Sequence, residues 1–160
     1  MLCILTINIA GCSTIIPDDG LKIQKENITH ENNTDYKRIE VELAQPSDGD
    51  TIAVFYNGNR EIVRFLLVDS PETSHPRLGE QPYGKEAKEF TKNLVENARK
   101  IELEFDIGLQ RDKYGRLLAY TYVDGNLVQE ELLKNGLARV AYIYPPNTRY
   151  VDQFIMIQKE

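Results

Sequence analysis

Three carboxylates and two arginines stand at the ends of apolar stretches, and they are the residues of this 160-residue chain best suited to chemistry. Asp50 lies in the turn Asp48-Gly49-Asp50-Thr51, and Asp69 and Glu72 flank the break at Ser70-Pro71. Arg64 opens the apolar run Phe65-Leu66-Leu67-Val68, and Arg116 closes Asp112-Lys113-Tyr114-Gly115-Arg116. Pro71 cannot donate to a sheet ladder and holds Ser70 extended, so a strand should end there and leave its acids in a turn. Carboxylates in a turn suit a hard cation, which takes oxygen ligands. Guanidinium forks suit phosphate. The set reads as a metal ion facing a phosphate group. Strict alternation along a strand would put Arg64 and Asp69 on opposite faces, so this reading requires a bend or bulge before Asp69.

The elements that must position these residues follow from periodicity. Ile39, Val41 and Leu43 alternate with charged neighbours and predict a half-buried strand. Thr51 to Tyr56 predicts a second strand, Asn57-Gly58 a hairpin turn of positive φ, and Glu61 to Asp69 a third strand. Behind Pro82, the spacing of Ala87, Phe90, Leu94 and Ala98 predicts a helix from about Tyr83 to Asn97. Ile101, Leu103 and Phe105 form a fourth strand, and Leu117 to Val123 a fifth. Asn126 and Gln129 have capping-box spacing for a short helix stopped by Gly136. After the break at Pro145-Pro146, Thr148 is placed to cap a last helix from about Arg149. Five short strands, with a helix between the third and fourth, suit a Greek-key barrel of the OB type.

Composition narrows the class. The chain is 41% hydrophobic and 28% charged, which fits one soluble domain and excludes a membrane-embedded or wholly disordered protein. The net charge of −6 means that attraction for a polyanion must be local, built from a few aimed cations and a bound metal. Residues 1–12 end in Ile9-Ala10-Gly11-Cys12, which resembles the lipobox of bacterial lipoproteins, although no Lys or Arg precedes it. Cys12 would then be lipidated, and the polar stretch 13–35 would serve as a flexible tether. The expected protein is extracellular, held at the bacterial membrane only through Cys12 or otherwise secreted, and monomeric.

From Ile39 onward the chain resembles the staphylococcal nuclease (thermonuclease) family. The resemblance rests on Asp48-Gly49-Asp50-Thr51, Arg64 to Thr73, Asp112 to Arg116 and Val140-Ala141-Tyr142-Ile143-Tyr144, in the family's order and spacing. It implies a five-stranded OB-fold barrel with three helices over residues 36–160. It also implies a calcium-dependent phosphodiesterase that cleaves DNA and RNA, with little sequence preference, to 3′-phosphate products. Carried onto this chain, the calcium ligands are Asp50, Asp69 and the main-chain carbonyl of Ser70, which stands where the family usually has Thr. Glu72 matches the general base, and Arg64 and Arg116 match the phosphate clamp. Tyr142 matches the base-stacking platform, Lys113 and Tyr114 lie near a terminal phosphate, and Tyr144 is a further candidate for the same wall. Asp48 is expected to be structural and Thr51 to hydrogen-bond near the metal.

Two departures stand out. Arg77 is the one arginine or lysine in the loop after Glu72, where Leu78 replaces a position often basic in the family. The chain also ends at Glu160, partway through what should be the last helix, so a C-terminally truncated domain is expected. The Pro145-Pro146 bond is expected to be cis. A non-catalytic nucleic-acid-binding OB module, or an inactive fragment, is the alternative. The complete set Asp50, Arg64, Asp69, Glu72 and Arg116 favours the enzyme.

Overall fold

A computed structural model describes residues 36–74, 77 and 79–160. The leader, the tether, Cys12 and Leu78 lie outside the described residues.

The chain order is β1 (Arg38–Asp48), β2 (Thr51–Tyr56), β3 (Asn59–Phe65), β4 (Val68–Asp69), α1 (Gly84–Glu96), β5 (Ile101–Glu104), β6 (Leu117–Val123), β7 (Asn126–Leu127), α2 (Val128–Lys134), β8 (Arg139–Val140) and α3 (Val151–Gln158). Five strands close into a barrel. β1 pairs with β2, β2 with β3, β5 with β1 and β6 with β5, all antiparallel, and a parallel β3–β6 ladder completes the ring. That closing ladder sets Arg64 opposite Leu118, two residues beyond Arg116. The two arginines, 52 positions apart in the chain, are thereby brought to one place.

β1 runs to Asp48, further than its apolar alternation predicts. Its first half pairs with β5 and its second with β2, with register shifts between Leu43 and Gln45 and between Pro46 and Asp48. A strand that serves two neighbours in turn must bend, and irregularities of this kind supply the bend. The Asn57-Gly58 hairpin forms as predicted, with φ of 51° and 78°. Asp124-Gly125 makes an equivalent turn, φ 48° and 87°, between β6 and the short β7.

The third strand departs from its predicted extent. It stops at Phe65, Leu67 takes φ 65°, and Val68–Asp69 restarts as β4, paired with β8 in a separate two-stranded sheet. This is the break that the Arg64–Asp69 alternation requires. Leu66 and Leu67 are both buried, so the turn is enclosed by the core. Its backbone is satisfied from two sides, as Leu66 N donates to Ala119 O at 3.1 Å and Ala141 N to Leu67 O at 2.9 Å.

The helices cover the barrel. α1 lies within one residue of its predicted bounds and turns Gly84, Ala87, Thr91 and Val95 inward, with Phe90 and Leu94 half-buried. Buried Thr91 donates its hydroxyl to Gly49 O at 2.6 Å, tying this helix to the turn that carries Asp48 and Asp50. α2 begins without a capping box. Asn126 is committed to β7, and Gln129 is buried, donating Nε2 to Ala119 O and accepting Thr121 N. Its C-terminus forms as predicted: Gly136 N donates to Leu133 O and Leu137 N to Leu132 O, with Gly136 at φ 65°.

α3 starts at Val151, two residues later than predicted, and Thr148 contributes its carbonyl to Val151 N while making no side-chain cap. Arg149 is instead drawn into a buried ion cluster with Glu104 and Asp106. Phe154, fully buried against the Tyr120 and Tyr150 rings, anchors the helix; burial of such a side chain is worth about 1.5–3 kcal/mol. The Pro145-Pro146 bond is cis, as expected.

Candidate active site

Arg64 is the hub of the site. It lies at the end of β3, nearly buried, and every polar contact of its guanidinium goes to the turn regions around it. Nη1 donates to the carbonyls of Phe65 and Val68 at 3.1 and 2.9 Å. Nη2 lies 3.0 Å from Asp50 Oδ2 and 3.4 Å from Asp69 Oδ1. The Leu66–Leu67 turn makes this possible, because it folds Val68 and Asp69 back onto the side chain of Arg64. The Tyr142 ring lies 5.4 Å from the same guanidinium, and Tyr142 itself holds φ 55°.

Asp50 is buried and fixed through both oxygens. Oδ2 accepts the Ser70 amide at 2.8 Å and Oδ1 the Thr51 hydroxyl at 3.0 Å, while the Asp50 carbonyl accepts Phe65 N at 2.9 Å. Gly49 is required beside it, since an added Cβ would lie 2.5 Å from Ser70 Oγ and 2.9 Å from Ala87 Cβ. Asp48 accepts the Gly49 amide, the turn role expected of it. Burial pushes the Asp48 carboxyl above its ordinary range, with the charges of Asp50 and Glu72 adding to the rise and the Gly49 amide and Lys88 opposing it.

Glu72 is held by its backbone. Its amide donates to Gln81 Oε1 at 2.8 Å and its carbonyl accepts Gln81 N at 3.0 Å. The start of α1 packs directly on it, and a Cβ on Gly84 would lie 2.7 Å from Glu72 O.

Arg116 precedes β6 and is oriented by its own loop. Asp112 Oδ1 accepts the amides of Tyr114 and Arg116 at 2.9 and 3.0 Å, and Asp112 Oδ2 accepts Arg116 Nε at 2.7 Å. Burial acts to raise the Asp112 carboxyl, but the bonds from the Arg116 side chain and from the two amides outweigh it and hold the group below the usual carboxylate range. With Nε committed, the terminal nitrogens of Arg116 remain available for an anion.

These residues face one cavity of about 690 Å³. Asp50, Arg64, Asp69, Glu72, Lys113, Tyr114, Arg116, Tyr142 and Tyr144 all line it, so nine of the ten sequence-predicted site residues are brought together. Ser70 is the exception, as it is buried outside the lining with its amide on Asp50. Arg111, Asn147 and Leu109 are among the lining residues that sequence reasoning did not single out. Arg111 forms a two-point ion pair with Glu61, 2.8 Å at each oxygen, and donates to Gly115 O, bracing the loop that carries Arg116. Asn147 ties its stretch of the lining to the loop at 108–109, accepting Gly108 N at 2.7 Å and donating to Leu109 O at 2.9 Å. Arg111 adjoins a recognised motif and could have been suspected; nothing local marks Asn147 or Leu109.

The donor set fits a hard cation. Asp50 and Asp69 aim one oxygen each at the same Arg64 nitrogen, so they converge, and every available donor there is oxygen. Among the described residues no group of three or more His, Cys, Asp or Glu side chains is placed to hold a metal. Two carboxylates would therefore need main-chain oxygen, water or substrate to complete a coordination shell, as an open site does.

The family model for the staphylococcal nuclease homologue matches residues 62–160, a span that includes Arg64, Asp69, Glu72, Arg116 and Tyr142. The chain belongs to the staphylococcal nuclease family. Its curated relatives include endonuclease YncB of Bacillus subtilis strain 168, 56% identical over 137 residues that make up 86% of this chain and 64% of that protein. The SPbeta prophage-derived endonuclease YokF of the same strain is 46% identical over an alignment 180 residues long that covers 98% of this chain and 60% of that protein. The thermonuclease of Staphylococcus hyicus is 41% identical over 133 residues, 83% and 74% of the two chains. The chain thus spans less than two thirds of the length of either Bacillus endonuclease. For a staphylococcal nuclease family member, the five-strand closure and three helices observed here are the architecture that the sequence resemblance implied.

Proposed function

We propose that this staphylococcal nuclease family domain is a calcium-dependent phosphodiesterase that hydrolyses DNA and RNA and leaves 3′-phosphate ends. The observation that carries the reading is the convergence of two guanidinium groups, Arg64 and Arg116, with the carboxylates of Asp50, Asp69 and Glu72 on one cavity walled by tyrosines. The relatives named as endonucleases and a thermonuclease support the reaction class.

In this scheme Arg64 and Arg116 grip the scissile phosphate, and their charge is worth most as the equatorial oxygens gain charge in the transition state. A calcium ion on Asp50, Asp69 and nearby main-chain oxygen would add Lewis-acid neutralisation of the same phosphate. Glu72 takes a proton from the attacking water as its oxygen bonds to phosphorus. The bond from phosphorus to the 5′ oxygen breaks, the 5′ oxygen takes a proton from solvent, and the phosphate stays on the 3′ side. A carboxylate is a weak base for water, so charge stabilisation carries most of the acceleration. Tyr142, with Tyr114 and Tyr144, offers ring faces to bases of any identity, which suits cleavage with little sequence preference.

The test is cleavage of denatured DNA and of RNA in calcium, in magnesium and in chelator. Activity should require calcium, because magnesium's octahedral demand and reluctance to shed water suit a sparse site poorly. Products should resist polymerase extension until treated with a phosphatase. Equal rates in the two metals, or products extended without that treatment, would overturn the assignment. The Ile9 to Cys12 motif supports an enzyme anchored outside the cell, and mass spectrometry of a lipid-modified Cys12 peptide tests that.

A further inference from the structure

Asp69 is held by two arginines, one on each carboxylate oxygen. Arg64 reaches Oδ1 from the cavity side, whereas Arg139 takes Oδ2 with both Nε, at 3.2 Å, and Nη2, at 2.8 Å. Arg139 is not a lining residue of the cavity, and its side chain is 73% exposed. It reaches Asp69 because β4 and β8 pair in a register that sets the two residues directly opposite. The strand it stands on is anchored, since Ala141 N donates to Leu67 O and Val140 N to Gln158 Oε1 at the end of α3.

An exposed ion pair contributes little to stability, so its consequence is to be sought in orientation. The terminal torsion of an aspartate is broad and has no sharp rotamer preference, and a carboxylate that must present one oxygen needs partners to fix it. Asp50 has a backbone amide and a hydroxyl for that purpose. Asp69 has the two guanidinium groups.

We propose that Arg139 is a positioning residue for Asp69: by engaging Oδ2 it keeps Oδ1 turned toward Arg64 and the cavity, where it stands beside Asp50 as a cation ligand. The ligand role rests on the calcium reading above; the orienting role does not. Two physical effects of Arg139 on calcium oppose each other. A cation merely close to a divalent ion repels it, so its removal would tighten calcium binding. A cation that orients a ligand carboxylate helps the ion, and loss of such outer partners weakens metal binding by about 10- to 100-fold. The exposure of Arg139 places the expected loss near the lower figure.

The experiment compares wild type, Arg139→Ala and Arg139→Lys. Metal-free crystal structures should show one Asp69 carboxylate orientation in wild type and more than one in Arg139→Ala. An unchanged Asp69 in Arg139→Ala would overturn the proposal. Calorimetric titration with calcium should give binding about tenfold weaker for Arg139→Ala, partly recovered in Arg139→Lys, which keeps one contact of the two. Equal or tighter binding by Arg139→Ala would also overturn it, being the sign of simple repulsion. A wild-type chain that bound no calcium would remove the metal reading alone, and the crystal structures would then decide the orienting role. Matched thermal melts of the three proteins would exclude a general loss of fold.

Discussion

Replacing Arg116 by lysine keeps a positive charge and removes a fork, so it separates geometry from charge at the site. Arg116 commits Nε to Asp112 Oδ2 at 2.7 Å and so has two terminal nitrogens left for a phosphate. Lysine has a single terminal nitrogen, which can pair with Asp112 or turn to the substrate but cannot do both. The loop does not depend on the guanidinium, because Asp112 Oδ1 keeps the amides of Tyr114 and Arg116. The ion pair is also about one-third exposed on the arginine side and is worth at most ~1 kcal/mol to stability. Melting should therefore shift by less than about 5 °C. Losing one donor to transition-state charge costs about 10² to 10³ in kcat, or ~2.7–4 kcal/mol. This substitution degrades two donors aimed at one phosphate, so a loss of about 10³ is expected. kcat and kcat/KM should fall together, since the contact matters most in the transition state. Initial rates on a fluorogenic single-stranded oligonucleotide in saturating calcium provide the measurement. A rise in KM with kcat within about tenfold of wild type would make Arg116 a binding residue only and would refute the clamp.

Gln129→Leu keeps the volume but strands Thr121 N inside the fold and leaves Ala119 O with the Leu66 amide alone, so urea denaturation should show a loss of about 1–3 kcal/mol; a loss under about 0.5 kcal/mol would mean that Thr121 N finds another partner. Asp48→Asn should stabilise the calcium-free protein at pH 7. The raised pKa of Asp48 in the folded state gives stability that is present below the unfolded value of about 3.9 and lost as pH rises through the folded value. The advantage of the amide should therefore shrink as melts in chelator are taken down toward about pH 4, and a constant advantage would contradict the burial and repulsion assigned to Asp48. Tyr142→Ala should raise KM by the equivalent of about 1–3 kcal/mol on single-stranded substrates, with a much smaller effect on kcat; steady-state kinetics on short oligonucleotides would show this, and an unchanged KM would deny Tyr142 a stacking role.

Where local chemistry was decisive, the elements form as their residues predict. Asn57-Gly58 reverses the chain because those two residues tolerate positive φ, and Gly136 ends α2 for the same reason. Ala87, Phe90 and Leu94 recur at helical spacing, and α1 lies within a residue of the bounds they suggest. The failures occur where a side chain had a better offer from far away. Gln129 has capping-box spacing from Asn126, yet a buried strand whose amide and carbonyl need partners claims it instead. Arg149 was expected to open α3 and is held outside the helix by Glu104 and Asp106.

The candidate site divides along the same line. The types and order of Asp50, Arg64, Asp69, Glu72 and Arg116 are properties of the sequence alone, and they sufficed to suggest a cation facing a phosphate. The spacing of Arg64 and Asp69 also demanded a break in the strand between them. Only the tertiary structure could say how that break is made. Leucine has no local preference for the left-handed conformation that Leu67 adopts at φ 65°, so nothing in Arg64 to Asp69 announces the turn. It is held there by bonds to Ala119 in β6 and to Ala141 just after β8, 50 and more residues away, and by burial of both leucines. The same long-range pairing puts Arg139 opposite Asp69 and the start of β6 beside the end of β3. Residue types are written along the chain; their distances from one another are set by which strands pair, and that depends on the whole core.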